Sequence, residues 1–140
     1  PLAQQANVRL VLSLEEDCPV LILEDDLYQI VFNLMENGIK YNHSGGTLYV
    51  TLRHEDDNAM LIVRDTGVGI PADAVDHIFE RFYRVDKARS RATGGSGLGL
   101  AIVRAIVQRN RGDIQVQSTP GEGTCFTVTF PSFETEVDKE

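Results

Sequence analysis

Asp25 to Asn42 reads DDLYQIVFNLMENGIKYN. Asp25 and Asp26 suit the start of a helix, and Leu27, Ile30, Val31, Leu34 and Met35 then recur at helical spacing, so the stretch predicts a helix running to about Asn42. Asn33, Asn37 and Tyr41 fall at i, i+4 and i+8, with Gln29, Glu36 and Lys40 on the flanks of the same stripe. A polar stripe therefore lies opposite an apolar one. Taken alone, such a stripe is more often a solvated face than a site; the loops on either side decide which.

Upstream, Val8 to Leu14 and Val20 to Leu23 read as two short strands around the acidic turn Glu15 to Cys18, forming a hairpin or a sheet edge. Downstream, Thr47 to Leu52 and Met60 to Val63 read as a hairpin with a polar tip at Glu55 to Asn58. Pro71 to Phe82 predicts a proline-started short helix, and Arg84 to Ser96 a basic loop. Leu100, Ile102, Val103 and Ile106 define a second main helix over Leu98 to Gln108, with Gly112 as its stop. Ile114 to Gln117 and Thr124 to Phe130 read as strands around Pro120-Gly121-Glu122-Gly123, and Phe133 to Glu140 as an acidic tail. The pattern is α+β: two layers, helices over a mixed, mostly antiparallel sheet. No internal repeat is present.

A chain of 140 residues fits one compact domain, here taken as 1–140, and its 42% hydrophobic and 24% charged residues are ordinary for a cytosolic globular domain. No apolar run approaches the roughly 18 residues that span a membrane. Thirteen basic against 21 acidic residues give a net charge of −8, which argues against a nucleic-acid partner and requires any polyanionic ligand to be met locally. Cys18 and Cys125 have no metal-ligand spacing and read as reduced structural thiols. Pro1 to Gln5 does not open a signal peptide, and the abrupt start suggests an excised fragment.

Two glycine-bearing segments carry the chemistry. Asp65-Thr66-Gly67-Val68-Gly69-Ile70 follows a strand directly, placing a carboxylate at the strand end and glycines where backbone must approach closely. A turn explains the glycines; it does not explain the carboxylate, an acceptor able to read an exocyclic amino group such as adenine's. Gly94-Gly95-Ser96-Gly97-Leu98-Gly99-Leu100 opens the second helix, where free backbone amides and the positive helix end converge on an anion. The spacing fits neither a Walker loop nor a dinucleotide fingerprint.

Asn33 to Asn42, Asp65 to Ile70, Phe79 to Tyr83, Gly95 to Leu100 and Gly121 to Phe126 resemble, in order, the N, first-glycine, F, second-glycine and third-glycine boxes of sensor histidine kinases. The resemblance spans almost the whole chain and implies a two-layer α/β sandwich of Bergerat type, with ATP between helices and sheet under a mobile lid. By position it implies that Asn37 is the Mg²⁺ ligand and also contacts the nucleotide, with Asn33 beside it. Lys40 and Tyr41 match phosphate- and ribose-side contacts. Asp65 matches the adenine-binding carboxylate, in a pocket shaped by Gly67, Gly69 and Ile70. Gly95, Ser96, Gly97, Leu98, Gly99 and Leu100 match the phosphate cradle, and Thr124 the third-glycine box. Phe79 and Phe82 match the F box, although aromatics there are more often core packing. Arg84, Lys87, Arg89 and Arg91 form a basic cluster in the lid region, of which Arg84 is taken as the catalytic cation.

Two departures stand out: Gly38 replaces the family's usual alanine, costing roughly 1 kcal/mol of helix propensity, and Glu36 precedes the metal asparagine. The glycine is read as allowing close packing. Glu36 either pairs with Lys40 at i+4 or helps polarise the attacking imidazole, the pairing being favoured. In related ATPases the position of Asn33 is a glutamate that activates water. An amide cannot take that proton, so slow hydrolysis and transfer to histidine are expected, with Asn33, Glu36 and Arg84 as the catalytic set. His43, His54 and His77 lack the acceptor context and read as surface or turn residues. The resemblance therefore implies an upstream phosphoacceptor dimerisation domain and a response-regulator receiver domain as partners. It also implies a homodimeric full-length protein, monomeric as the isolated domain, and a cytoplasmic domain of a membrane-anchored bacterial protein. A serine kinase or gyrase-type ATPase of the same fold, and a nucleotide-binding docking module without transfer activity, are the rivals.

Overall fold

The structure is a computed structural model and describes residues 7–14, 24–55, 58–80 and 99–131. Five strands form one sheet: β1 (Arg9–Leu14), β2 (Thr47–Glu55), β3 (Asn58–Asp65), β4 (Asp113–Thr119) and β5 (Gly123–Pro131), in the order β1-β2-β3-β5-β4. The pairs β2/β3, β3/β5 and β4/β5 are antiparallel, and β1 runs parallel to β2 at the edge. Helices α1 (Glu24–Lys40) and α2 (Gly99–Arg109) pack on one face. This is the expected two-layer arrangement.

Strand periodicity explains why only one face is covered. Along β5, Thr124, Phe126, Val128 and Phe130 are buried while Cys125, Thr127 and Thr129 between them are only half-buried. Cross-strand register stacks the buried set into rows: Val50, Val63, Phe126 and Val116 in one, Leu52, Leu61, Val128 and Ile114 in the next. Against them α1 presents Ile30 and Leu34 and α2 presents Val103 and Val107, all fully buried. Each such side chain contributes about 1.5–3 kcal/mol on burial.

The helices lie antiparallel. Arg109 donates to Asp26 Oδ1 at 2.8 Å and Asn110 to Asp26 Oδ2 at 3.1 Å, tying the end of α2 to the start of α1. At the other end, the position of a Cβ on Gly99 lies 3.3 Å from Asn33 Oδ1. The start of α2 therefore faces the middle of α1.

Several expectations change. Over the described part of Pro71 to Phe82 there is no α-helix, only turns and a single 3₁₀ turn at Val75–His77. Its bonds are i to i+3 (His77 N to Ala74 O, 2.9 Å; Glu80 N to His77 O, 3.0 Å), and no side chain caps its start. Ala74 and Ile78 are its buried anchors, with Asp73, Asp76 and His77 exposed around them. The strands of the β2/β3 hairpin extend beyond the expected ends to meet at the tip. Gly112 follows α2 as expected, but Arg111 takes the left-handed conformation, at φ 62°, and Gly112 N bonds to Val107 O at 2.8 Å. Gly112 serves packing instead: a Cβ there would lie 2.8 Å from Thr129 O. His43 and His77 are exposed, whereas His54 is half-buried within β2 on the helix-facing side. The strand expected at Val20 to Leu23, the loop from Arg84 to Ser96 and the tail from Phe133 lie outside the described residues, as does Cys18.

Candidate functional site

The rows of the helix-facing sheet surface are apolar until the end where β3 gives way to its loop. There the row reads Leu48, Asp65, Thr124, Ser118. Asp65 is 6% exposed. Its Oδ1 accepts the amides of Gly67 at 2.8 Å and Thr124 at 3.3 Å, while among the described residues Oδ2 accepts no hydrogen bond. Burial pushes the Asp65 carboxyl above its ordinary range, more than the Gly67 and Thr124 amides and nearby His43 pull it back. A buried carboxylate with one oxygen committed to backbone and the other spare is built to accept a donor from outside the fold.

Gly38 of α1 closes over that oxygen. The position of a Cβ on Gly38 lies 3.7 Å from Asp65 Oδ2 and 2.6 Å from Leu48 Cδ1. The glycine lets helix and sheet approach closely, as expected of it.

The loop after Asp65 is held on both sides. Thr66 N donates to Thr47 O at 3.1 Å, Val68 N to Tyr41 O at 3.0 Å, and Gly121 N to Val68 O at 2.8 Å. Ile70 N donates to Ser118 Oγ at 2.7 Å. A side chain at Gly67 would collide with the Tyr41 carbonyl oxygen, and Gly69 combines φ 75° with close approach to the Thr119 carbonyl. Both glycines are required by the geometry, not merely tolerated.

On α1, Asn33 and Asn37 are half-buried one turn apart. Asn33 Nδ2 donates to Gln29 O at 2.8 Å, which turns its oxygen toward Gly99, where α2 begins with no acidic residue in its first turn. Helix-start amides, which have no partner within α2 itself, and an amide oxygen thus share one place, suited to an anion with a hard cation beside it. Asn37 makes no side-chain hydrogen bond among the described residues. Lys40 pairs with Glu36 at 3.2 Å, the favoured structural reading of Glu36. No cluster of three or more His, Cys, Asp or Glu side chains that could hold a metal occurs among the described residues. A metal here would take an asparagine oxygen, water and ligand oxygens, which is the habit of Mg²⁺.

The structure therefore brings together Asp65 with Gly67 and Thr124, Tyr41 with the Gly67 loop, Ile70 with Ser118, and Asn33 with Gly99. Leu100 packs against the core. Phe79 meets Phe126 edge to face, with ring centroids 6.3 Å apart, so it is a packing residue. Phe82, Arg84, Gly95, Ser96, Gly97 and Leu98 lie outside the described residues. Two residues essential to the geometry escaped the sequence reading. Asn42, 7% exposed, donates to Thr47 O at 2.9 Å and accepts from His43 N at 2.8 Å. Ser118 Oγ accepts from Ile70 N and lies 2.9 Å from Thr124 Oγ1. A polar residue at a core-facing strand position was the available signal for Ser118; Asn42 had none beyond its place after a helix.

Comparison with known proteins agrees with this geometry. Residues 22–134 match the family described as histidine kinase-, DNA gyrase B- and HSP90-like ATPase. The chain is similar to the sensor histidine kinase RppB of a Synechocystis species, 46% identical over 81% of this chain and 25% of that protein. It is also similar to the sensor histidine kinase WalK of Bacillus subtilis, 42% identical over 89% of this chain and 21% of that protein. The chain thus spans about a quarter or less of these relatives. Among solved structures, a mycobacterial sensor histidine kinase, MprB, superposes with TM-score 0.79 at 29% identity, covering 94% of this chain and 88% of that one. Full-length ShkA in complex with AMPPNP superposes with TM-score 0.79 at 30% identity, covering 94% of this chain and 27% of that one.

Proposed function

This chain belongs to the histidine kinase-, DNA gyrase B- and HSP90-like ATPase family, and from that premise we propose that it binds Mg-ATP and transfers the γ-phosphoryl group to a histidine of a helical dimerisation domain in the same protein. Asp65 Oδ2 accepts the adenine amino group in the slot beneath Gly38, and Tyr41 and Ile70 border it. Gly99 and the amides of the first turn of α2 receive the phosphates, joined on sequence grounds by the cradle from Gly95 to Leu98. Asn37 ligates Mg²⁺, with Lys40 beside the phosphates. The metal, when bound, neutralises charge on the phosphate oxygens.

The acceptor imidazole nitrogen attacks the γ-phosphorus in line. A P–N bond forms at the unprotonated ring nitrogen, the bond from the γ-phosphorus to the β,γ-bridging oxygen breaks with its electron pair remaining on ADP, and the proton on the other ring nitrogen passes to solvent. Helix-start amides and, on sequence grounds, Arg84 stabilise the charge spread over the equatorial oxygens. Asn33 carries the choice of transfer over hydrolysis: an amide stands against Gly99 where a water-activating base would be needed. The phosphohistidine then serves a receiver domain of a response regulator, in a homodimeric, membrane-anchored protein whose catalytic domain is cytoplasmic. No helix of the described residues is long and apolar enough to cross a membrane.

Mixing the domain with the separately expressed acceptor domain and γ-labelled ATP tests the reading. Acid-labile, alkali-stable label on the acceptor, with phosphate release slower than transfer, is the expected result. Rapid phosphate release without protein label would make the chain an ATPase.

A further inference from the structure

Ser118 stands on β4, at the edge of the sheet, in line with Ile114 and Val116, which pack against the core. A hydroxyl at the next core-facing position breaks the apolar pattern. A serine near a turn commonly bonds one backbone group and does no more. Here Oγ accepts from Ile70 N at 2.7 Å, donates to Gly123 O at 3.1 Å and lies 2.9 Å from Thr124 Oγ1. A hydroxyl has one proton and two acceptor sites. With that proton on Gly123 O, the Thr124 hydroxyl is the donor in the third contact, and Ser118 has no capacity left. One oxygen thus joins the end of the loop after Asp65 to the turn that leads into β5.

Both of those segments hold Asp65. Its Oδ1 accepts Gly67 N at 2.8 Å and Thr124 N at 3.3 Å. The first is a short, local bond. The second comes from another strand and sits at the long end of the range for N–H···O bonds, so a shift of Thr124 by a few tenths of an ångström decides whether it survives. The start of β5 is also pressed against Asp65, since a Cβ on Gly123 would collide with the Asp65 carbonyl oxygen. Ser118 grips this contact from both sides, through Gly123 and Thr124 on one and Ile70 on the other. A backbone tie, Gly121 N to Val68 O at 2.8 Å, also joins loop to turn but reaches neither Gly123 nor Thr124.

A carboxylate held at two points on Oδ1 has one direction left for Oδ2; held by Gly67 alone, it can swivel about that bond. We propose that Ser118 is a positioning residue for base recognition: by keeping Thr124 N on Asp65 Oδ1 it aims Oδ2 at the amino group of the adenine, without itself meeting the nucleotide. This rests on the reading of Asp65 above. An aimed Oδ2 accepts from a 6-amino group and repels a 6-oxo group, and a swivelling one separates the two less sharply. Ionisation follows the same geometry. Burial raises the Asp65 carboxyl, and the Gly67 and Thr124 amides, with His43, draw it back. Loss of one donor to the charged form lets it rise further. Gly38 of α1, Leu48 of β2 and Thr124 of β5, which surround it, carry no charge, so His43 is its titratable neighbour among the described residues.

The test compares the chain with Ser118→Ala, with Ser118→Cys, whose thiol is only a weak donor and acceptor, and with Ser118→Thr, which keeps the hydroxyl in a residue suited to a strand. The probes are ATP and inosine triphosphate, which has an oxo group in place of the amino group, titrated calorimetrically with Mg²⁺. In the nucleotide-free chain the Asp65 carboxyl resonance is followed against pH. In the alanine and cysteine variants the Kd for ATP rises roughly tenfold and the preference for ATP over inosine triphosphate falls about fivefold. The carboxyl midpoint moves to higher pH in both, and Ser118→Thr matches the parent in all three measurements. If Ser118→Ala does not fold, Ser118→Cys carries the comparison. Parent-like preference and midpoint in a folded variant overturn the proposal and leave the Asp65 reading standing. Equal loss of affinity for both nucleotides with an unmoved midpoint also overturns it, since a merely structural serine would behave that way. A parent chain that binds the two nucleotides equally overturns the Asp65 reading and this proposal with it.

Discussion

Asp65→Asn separates nucleotide recognition from folding. Asn has the same volume, and its carbonyl oxygen still accepts from Gly67 N and Thr124 N, the two bonds that tie Oδ1 into the fold. Those bonds weaken when the acceptor loses its charge, but a buried charge, itself costly, is removed with them. The net change in stability is expected within about 1 kcal/mol. At Oδ2 the change is of another order: an acceptor becomes an NH₂ donor facing the adenine amino group. The hydrogen bond to a charged acceptor, about 1.5–3 kcal/mol, is lost, and a donor left unsatisfied costs about 1–3 kcal/mol more. Together they come to about 2.5–6 kcal/mol, or roughly two to four orders of magnitude in Kd. Calorimetric titration with a non-hydrolysable ATP analogue reads this directly. In a thermal-shift assay the parent gains ~2.7 kcal/mol at a hundredfold excess over its Kd, and the variant at the same concentration gains almost nothing. The pH dependence follows from the raised carboxyl. Because the folded form holds its proton to higher pH than the unfolded chain, ionised Asp65 detracts from stability above its folded pKa. That penalty falls away as pH drops through the folded pKa towards the unfolded value. Nucleotide affinity weakens over the same window, as the accepting oxygens take up a proton. The variant should be flat in both. A Kd within about threefold of the parent, in a variant with unchanged circular dichroism and Tm, would refute the assignment.

Asn37→Ala should abolish the Mg²⁺ dependence of ATP binding while stability, followed by urea denaturation, changes by less than about 1 kcal/mol, since the side chain is half-buried and makes no hydrogen bond among the described residues; an unfolded variant would make the asparagine structural. Gly67→Ala forces a Cβ onto the Tyr41 carbonyl oxygen and should cost upwards of about 3 kcal/mol, read as a large fall in Tm, whereas Gly99→Ala, with 3.3 Å to a movable Asn33 oxygen, should be mild. Glu36→Gln breaks a partly exposed ion pair and should move stability by no more than about 0.5 kcal/mol; a fall of tenfold or more in transfer rate at unchanged ATP affinity would show Glu36 acting on the imidazole. Asn42→Ala removes one of the donors to Thr47 O, which keeps Thr66 N, and takes the side-chain acceptor from His43 N, and should cost about 1 kcal/mol in chemical denaturation.

Most of the layer architecture was readable because it is periodic. Ile30 and Leu34, or Val103, Ile106 and Val107, recur at helical spacing, and β5 alternates residue by residue, so burial imprints itself on neighbouring positions. The parallel pairing of β1 with β2 leaves no such imprint, because a crossover between distant strands is decided by what packs above it and not by either strand's own pattern. Pro71 to Phe82 misled for a related reason. Ala74 and Ile78 have helical spacing, yet buried anchors four residues apart are equally served by consecutive tight turns, and a short segment gains too little from helix propagation to choose otherwise. At the site, Gly67 and Gly69 announced themselves because few residues but glycine fit where they stand. Ser118 and Asn42 act through hydrogen bonds to partners 48 residues away and five residues away respectively, and a serine in a strand or an asparagine after a helix has many ordinary explanations.

Gly38 shows how a weak local signal becomes strong once the fold is known. As a helix-interior glycine it reads as a loss of roughly 1 kcal/mol in exchange for close packing against a neighbour the sequence does not name. In place, its missing Cβ is what lets α1 lie against Leu48 and over Asp65 Oδ2, so the depth of the slot above the carboxylate is set there. The contact that an alanine would force, 2.6 Å to Leu48 Cδ1, falls on the far end of a flexible side chain and not on backbone. Alanine is therefore accommodated if Leu48 turns away, and the gain in helix propensity then competes with a wedge between helix and sheet directly above the carboxylate. Stability alone does not report which effect governs the site; the ratio of ATP affinity to stability does, because only the wedge reaches the slot.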